Sequence, residues 1–264
     1  MKKMIGPAGL MVHGIHKENT KPLSQGSISD KDFEKIINTL KKRILNADEW
    51  IEKSKNKRLS NKDLCITFDD NLRSQIKYGI PILKKYEIKA FFFVYTSIYE
   101  KKNYQFEVFR YFYNIKYRSF ENFFNDFYNF LVNSNHENKI KKIKKSKINN
   151  YLKKHKHYSS ADRYFRYLRD EVFTPLEFEK ICNKFMKKRK FNFEIEKIFD
   201  KIWISKKELK NISNKGHHIG LHSYNHNRNI FKMQFNQQMH QYKKNFNDIK
   251  KITGIPPVSA SYPF

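Results

Sequence analysis

The sequence predicts an α/β protein built around a parallel sheet, and two observations carry this prediction. The apolar run Leu64–Phe68 is followed by apolar residues at helical spacing and then by the apolar run 90–95. The strand pattern returns much later, at His218–Leu221 and at 258–262. Strands that are separated by helices usually pair in parallel, and a chain of 264 residues buries a core without disulfide bonds.

Two strand-and-helix segments open the chain. The short apolar run 10–15 follows Gly-Pro-Ala-Gly and predicts the first strand. Ser29 and Asp32 resemble a capping box ahead of a predicted helix, whose apolar face consists of Phe33, Ile36, Ile37, Leu40 and Ile44. A second helix is predicted after Leu64–Phe68, with Ile76, Ile80, Leu83 and Tyr86 on its apolar face.

The character of the sequence changes between residues 101 and 200. No strand pattern occurs there, and an aromatic stripe recurs at helical spacing: Phe120, Phe123, Phe124, Phe127, Tyr128 and Leu131. We interpret 101–200 as an α-helical insertion in a domain formed by 1–100 and 201–264. The stripe favours a helix-packing core, although a lid or an acceptor-binding subdomain has the same pattern.

The α/β pattern resumes after this stretch. Ser205 and Glu208 form a capping box before a helix that ends near Gly216. An amphipathic helix is predicted over 231–252, and the strand 258–262 follows two prolines.

The chain is strongly basic, with a net charge of +28. Such an excess is typical of proteins that bind nucleic acids or anionic surfaces. However, 44 of the 54 basic residues are lysine, whereas base recognition favours arginine. Lysine, asparagine, isoleucine, phenylalanine and tyrosine are all abundant, as in an AT-biased genome. We therefore expect no nucleic-acid partner, although the lysine-rich run 139–156 would attract acidic glycans or lipid headgroups.

The cysteines and the first residues predict a cytoplasmic protein. Cys65 and Cys182 are too few for a disulfide framework and predict buried free thiols. The segment 1–20 is interrupted by glycine and proline and is a poor signal peptide. Since no apolar run approaches the roughly 18 residues of a membrane span, we also expect no transmembrane segment.

Two short motifs combine reactive side chains with a strand end. Asp69 and Asp70 follow Leu64–Phe68 directly, and the carboxyl ends of parallel strands are where α/β folds place their sites. Adjacent carboxylates also occur as helix caps. His222 and His226 follow His218–Leu221, and their spacing places them on one face of a helical turn. Together with a carboxylate, they make a His₂Asp metal set, whereas alone they fit an ordinary polar loop.

The ordered motifs resemble those of the NodB-homology polysaccharide deacetylases, the family 4 carbohydrate esterases. Residues 67–71 (TFDDN) look like the family's TFDDG, and 222–226 (HSYNH) look like its H-[ST]-x-x-H, preceded by a similar G-H-x-I-G at 216–220. Residues 262–264 (YPF) resemble a third motif. His13 and the segment 28–40 are similar to the family's opening, so the resemblance covers roughly 8–98 and 202–264.

The resemblance implies a distorted (β/α) barrel and a metal-dependent hydrolase that removes N-acetyl groups from amino sugars of a glycan or glycan precursor. It implies that Asp69 is the general base and that Asp70, His222 and His226 bind a divalent metal, zinc in the first place, with cobalt or nickel as alternatives. The substrate and its oxyanion would lie against Tyr262, Pro263 and Phe264. We expect His13 and Asn71 to surround this set without binding the metal.

Three departures from the family pattern qualify this expectation. Asn71 stands in place of a glycine, a mild change because asparagine tolerates a left-handed backbone. Ser261 stands where many members have an arginine that orients the base. The later motifs, including a general-acid histidine, have no counterpart by Phe264. We therefore expect a barrel that is incomplete at its C-terminal end.

Two other functions fit the sequence. A catalytically silent relative would bind a glycan or metal without turnover, because its acid and its arginine are missing. A basic nucleic-acid-binding protein would use the insertion, and its affinity would fall steeply with salt.

Overall fold

The computed structural model describes residues 6–20, 26–102, 105–155, 158–227 and 230–263. The chain divides into two compact units, the first formed by residues 1–104 and 194–264 and the second by residues 105–193. The proposed division at 101–200 stays a prediction.

The strands of the first unit are parallel. They are β1 (Ala8–Val12), β2 (Ile15–His16), β3 (Ile28–Ser29), β4 (Leu64–Phe68), β5 (Phe91–Val94) and β6 (His218–Leu221). The main sheet has the order β1-β4-β5-β6, and β2 pairs with β3 in a small second sheet. The predicted α/β class with a parallel sheet is confirmed. Within the described ranges the sheet stays open and does not close into a barrel.

Two predicted strands differ from those observed. The first strand ends at Val12 instead of residue 15, and β2 starts separately at Ile15. The predicted strand 258–262 is a single parallel bridge between Ala260 and Leu221. Prolines flank this segment on both sides and have no N–H to donate to a ladder, so the pairing stops after two backbone hydrogen bonds.

The helices of the described chain are α1 (Asp30–Leu40), α2 (Ala47–Lys55), α3 (Ile80–Lys85), α4 (Gln105–Lys116), α5 (Phe120–Val132), α6 (Glu137–Lys141), α7 (Lys145–Asn150), α8 (Ser160–Tyr167), α9 (Pro175–Lys188), α10 (Ile195–Ile202), α11 (Lys206–Asn214) and α12 (Phe235–Thr253). Ser29 accepts the Asp32 N–H at the start of α1, and the predicted capping box of Ser205 and Glu208 starts α11. Gly254 ends α12 in a left-handed conformation.

A wide turn precedes α3 where the sequence predicts one regular helix. Residues Gln75–Gly79 form a π-helical turn, in which the Ile80 N–H reaches the Gln75 carbonyl. Pro81 follows and has no N–H to continue the regular ladder. This turn places the Gln75 side chain beneath the sheet edge, fully buried.

The core of the first unit lies between the sheet and the helices that flank it. It includes Phe33 and Ile37 of α1, Ile66 and Phe68 of β4, Phe92 and Val94 of β5, Leu209 and Ile212 of α11, and Ile249 of α12. The rings of Phe68 and Phe92 stack at 4.7 Å across β4 and β5. This apolar packing holds the ends of β4, β5 and β6 in register.

The second unit is helical, with an aromatic core. Its central rings are Phe109, Phe112, Phe123, Phe127, Phe165 and Phe185, all buried. Phe123, Phe124, Phe127 and Leu131 of the aromatic stripe face this core, which confirms the packing interpretation of the stripe.

Cys65 and Cys182 are buried free thiols. No helix in the described ranges combines the length and the apolar character that crossing a bilayer requires.

Candidate active site

Two strand ends bring the sequence motifs together. Asp69 and Asp70 leave the carboxyl end of β4, and His222 leaves the carboxyl end of β6. Both strands run parallel to β5, which lies between them. The two motifs therefore meet at one edge of the sheet, although they are far apart in the chain.

Asp70, His222 and His226 form a cluster with the geometry of a metal site. Their ligand atoms all lie within 4.8 Å of one another. Asp70 Oδ1 lies 3.4 Å from His222 Nε2 and 3.0 Å from His226 Nε2. The two imidazole rings are 4.9 Å apart. One carboxylate and two imidazoles are a donor set that suits zinc and similar divalent cations.

The second ring nitrogen of His222 is held by the main chain. His222 Nδ1 lies 2.9 Å from the carbonyl oxygen of Ser261. Because a carbonyl oxygen only accepts, Nδ1 must carry the proton, and in the neutral ring the lone pair is then on Nε2, facing Asp70. This is the tautomer that a metal ligand needs.

Electrostatics hold Asp70 in its anionic form. Burial alone would raise the pKa of Asp70, but the charge of His226 and hydrogen bonds from both histidines keep it well below its usual range. Burial opposes protonation of His222, but its hydrogen bond to Asp70 and the charges of Asp70 and Asp69 raise the pKa of His222. A cation in this cluster would replace the protons that the histidines hold.

Asp69 lies beside the cluster and is only 4% exposed. Its Oδ2 accepts a hydrogen bond from the Ser261 hydroxyl at 3.1 Å, whereas its buried Oδ1 has no hydrogen-bond partner among the described residues. Burial raises the pKa of Asp69, the charge of His222 opposes this rise, and the Asp70 carboxylate adds to it. The arrangement leaves one carboxylate oxygen available to accept a proton.

His13 reaches the same cluster from the loop after β1. Its Nε2 lies 3.7 Å from Asp70 Oδ2, and its side chain is 37% exposed. The buried Gln75 side chain donates to the carbonyls of both His13 and Asp69, so it joins the two loops. His13 is thus a solvent-accessible imidazole next to the proposed metal ligands.

Comparison with known protein families assigns this chain to a family. The family model described as polysaccharide deacetylase matches residues 56–167 and 179–264, more than half of the chain. The chain belongs to the polysaccharide deacetylase family. A search of curated proteins found no match.

Solved structures similar to this polysaccharide deacetylase family member share little sequence with it. The Streptococcus pyogenes deacetylase PplD in complex with acetate has a TM-score of 0.49 and 14% identity, over 98% of this chain and 74% of that chain. IcaB from Ammonifex degensii has a TM-score of 0.49 and 13% identity, over 98% and 74%. A polysaccharide deacetylase from Bacillus cereus has a TM-score of 0.47 and 14% identity, and this chain spans only 51% of its length.

In this polysaccharide deacetylase family member, His222 and His226 lie on a loop that is not helical. The prediction of a helical turn is therefore wrong. Ser223 and His226 have left-handed backbones, with φ of 58° and 53°. The Tyr224 carbonyl accepts the N–H groups of Thr96 and Ser97, which tie the loop to the end of β5. These contacts, and not a helical repeat, bring His226 back toward Asp70.

The position of Asn71 fits the left-handed backbone expected there. Asp70 and Asn71 have φ of 72° and 58°, in the region where glycine and asparagine cost least. The Asn71 side-chain amide donates to the Tyr99 hydroxyl at 3.0 Å, and the Asn71 backbone carbonyl accepts the Ile204 N–H. Asn71 therefore shapes the loop after β4, while its neighbour Asp70 turns into the cluster.

The predicted substrate residues lie next to Ser261. Tyr262 is 73% exposed, and its ring packs edge-on against Tyr242. Pro263 is buried. Phe264 lies outside the described residues. A role of these residues toward substrate or oxyanion stays a prediction.

Two buried residues support the site, and one of them, Asn245, was missed in the sequence. Asn245 of α12 is fully buried, and its Oδ1 accepts the His222 N–H at 3.0 Å. Trp203, also fully buried, donates to the Tyr95 hydroxyl at 3.0 Å, and the Tyr95 ring lies 5.3 Å from that of His226. Asn245 lies on the face of α12 that is buried, and a polar residue at such a position was the sequence signal for its role.

Proposed function

We propose that this family member is a metal-dependent hydrolase that removes N-acetyl groups from amino sugars of a glycan or glycan precursor. One observation carries the proposal: Asp70, His222 and His226 converge within 4.8 Å beside a second buried carboxylate, Asp69. Family membership supports deacetylation, and the donor set supports metal dependence.

The chemistry of the residues fits a divalent cation. Asp70 is anionic, and the Ser261 carbonyl fixes the His222 tautomer that exposes Nε2. We assign the ligand role to Asp70, His222 and His226, with zinc as the first candidate and cobalt or nickel as alternatives. A bound cation would supply Lewis-acid activation of water and polarise the amide carbonyl.

Asp69 is assigned the role of general base. Its Oδ2 is engaged by Ser261, and its Oδ1 is the acceptor left for the proton of the attacking water. The raised pKa of Asp69 makes it a better proton acceptor than an ordinary exposed aspartate.

His13 is assigned the role of proton donor to the leaving nitrogen. Amide cleavage needs a proton on that nitrogen, and His222 and His226 are already occupied as ligands. His13 lies 3.7 Å from Asp70 and is partly open to solvent, so it is able to exchange protons with water. We assign this role to His13 because it is an accessible imidazole beside the proposed ligands.

The exposed ring of Tyr262 offers an apolar surface for a sugar next to Ser261 and the base. We propose that Tyr262, Pro263 and Phe264 contribute to the substrate and oxyanion site, as the family resemblance implies. The cytoplasmic location and the lack of a nucleic-acid partner stay predictions from the sequence.

The direct test measures metal content and acetate release on the same preparation, with chito-oligosaccharides as substrate and zinc or cobalt added. We expect about one metal ion per chain, release of acetate with formation of free amine, and loss of both after chelation. Metal without acetate would instead support a silent glycan- or metal-binding relative. A chain that binds neither metal contradicts the ligand set.

A further inference from the structure

Ser261 connects the two halves of the proposed site. It follows the bridge between Ala260 and Leu221, and its N–H donates to the Leu221 carbonyl at 2.9 Å. The Leu221 N–H in turn donates to the Ser259 carbonyl at 2.9 Å. The backbone of Ser261 is therefore anchored to the end of β6, directly beside His222.

The two polar groups of Ser261 point to different partners. Its carbonyl accepts from His222 Nδ1 at 2.9 Å, and its hydroxyl donates to Asp69 Oδ2 at 3.1 Å. A serine hydroxyl has one proton, so this bond uses its donor capacity fully. One residue thus contacts both a proposed metal ligand and the proposed base.

The bond from Ser261 also fixes the orientation of the Asp69 carboxylate. Asp69 is 4% exposed, so little water reaches it to replace a lost hydrogen bond. With one oxygen held by Ser261, a partial rotation of the carboxylate about its Cβ–Cγ bond breaks the contact. The contact therefore favours one plane of the carboxylate, in which the other oxygen is the acceptor.

We propose that Ser261 is a positioning residue for catalysis, whose hydroxyl orients the Asp69 carboxylate at the place where the sequence lacks the expected arginine. This inference rests on the proposed function, since it assigns Ser261 to the same site. Ser261 acts through Asp69 and does not itself contact the substrate in this role.

The test compares Ser261→Ala, Ser261→Thr and Ser259→Ala, each assayed for metal content, kcat and KM with chito-oligosaccharides. Ser259 is a matched control from the same segment, because its buried hydroxyl has no hydrogen-bond partner among the described residues. For Ser261→Ala we expect kcat to fall about tenfold to a hundredfold, with KM and metal content nearly unchanged because the backbone carbonyl remains. Ser261→Thr keeps the hydroxyl and should recover most of kcat.

Other outcomes overturn the inference in distinguishable ways. An active wild-type protein whose Ser261→Ala variant keeps its kcat refutes the role of Ser261 alone. Equal losses in the Ala and Thr variants, together with lost metal or lost folding, show a purely structural role and also refute it. A wild-type protein that binds metal but releases no acetate refutes the proposed function and, with it, any catalytic role of Ser261.

Discussion

The Asn245 side chain holds the backbone of His222 at the point where β6 ends. Its Oδ1 accepts the His222 N–H at 3.0 Å, and its Nδ2 donates to the Val94 carbonyl at 3.1 Å and to Thr96 Oγ1 at 3.2 Å. One buried amide thus links α12, the end of β5 and the start of the histidine loop. The proposed metal ligand His222 is therefore held by Asn245 as well as by Ser261.

Replacing Asn245 by Leu should destabilise the fold and weaken the metal site together. Three buried partners each lose one hydrogen bond, so we expect a loss of about 2–4 kcal/mol in the free energy of unfolding and at least about tenfold weaker metal binding. Urea unfolding and metal titration measure the two effects. Asn247→Leu makes the same change at an exposed position of α12 and should alter stability by less than about 0.5 kcal/mol. Similar behaviour of the two variants would contradict this account of Asn245.

Substitution of the adjacent carboxylates should separate binding from turnover. Asp70→Asn removes the carboxylate of the proposed ligand set, and we expect metal affinity to fall by about a hundredfold or more. Asp69→Asn should keep the metal but lower kcat by about 10²-fold to 10⁴-fold, because the base is lost. Calorimetric metal titration and acetate release distinguish the two results. If Asp69→Asn lost the metal and Asp70→Asn kept it, the two roles would be reversed.

The role of His13 can be tested by changing the leaving group. His13→Gln should slow release of acetate from an N-acetylated sugar, where the departing amine needs a proton, by about 10²-fold or more. The phenolate of an aryl acetate ester departs without protonation, so hydrolysis of such an ester should be nearly unaffected by His13→Gln. His16→Gln, whose ring bonds to Ser27, is the matched control with both substrates. Equal slowing on both substrates would point to a structural role of His13.

The buried His217 should make the fold less stable in mild acid. Burial, with the charges of Lys89 and Lys215, lowers the pKa of His217 from 6.5 to about 4, and its Nδ1 accepts the Ala90 N–H at 3.1 Å. In the unfolded chain His217 therefore takes up a proton below pH 6.5, whereas in the folded chain it does so only near pH 4. The contribution of His217 to the free energy of unfolding is complete above pH 6.5 and falls by about 3 kcal/mol between pH 6.5 and about pH 4.

Urea unfolding of the wild type and of His217→Asn at several pH values between 4 and 7 measures this effect. The asparagine oxygen keeps an acceptor for Ala90 but has no proton to gain, so the pH slope of its unfolding free energy should be shallower. Equal slopes for the two proteins would rule out His217 as the cause.

The sequence predicts the parts of this site that depend on local pattern. β4 and β6 have the bounds that their short apolar runs indicate, and the reactive residues follow directly at their ends. Parallel pairing places Asp70 and His222 at the same edge of the sheet. The grouping of Asp70 with the two histidines as a ligand set came from the family resemblance.

The contacts that complete the site were not predictable in the same way. Ser261 and Asp69 are 192 residues apart, and no local pattern encodes that distance. The histidine loop depends on two left-handed residues and on the Tyr224 carbonyl, which receives N–H groups from another loop. Proline prevents 258–262 from forming a regular strand, so an apolar pattern alone overstates its pairing.

The long separation between β5 and its partner β6 has a consequence during synthesis. Ala90 and His217, which bond at the start of this strand pair, are 127 residues apart. At the usual rates of translation, β5 waits roughly 6 to 25 seconds for β6. The helices of residues 105–193 emerge in that interval. Meanwhile the four apolar residues of β5 present an unpaired edge. The nascent chain is therefore exposed to wrong pairing and to chaperone binding until β6 leaves the ribosome.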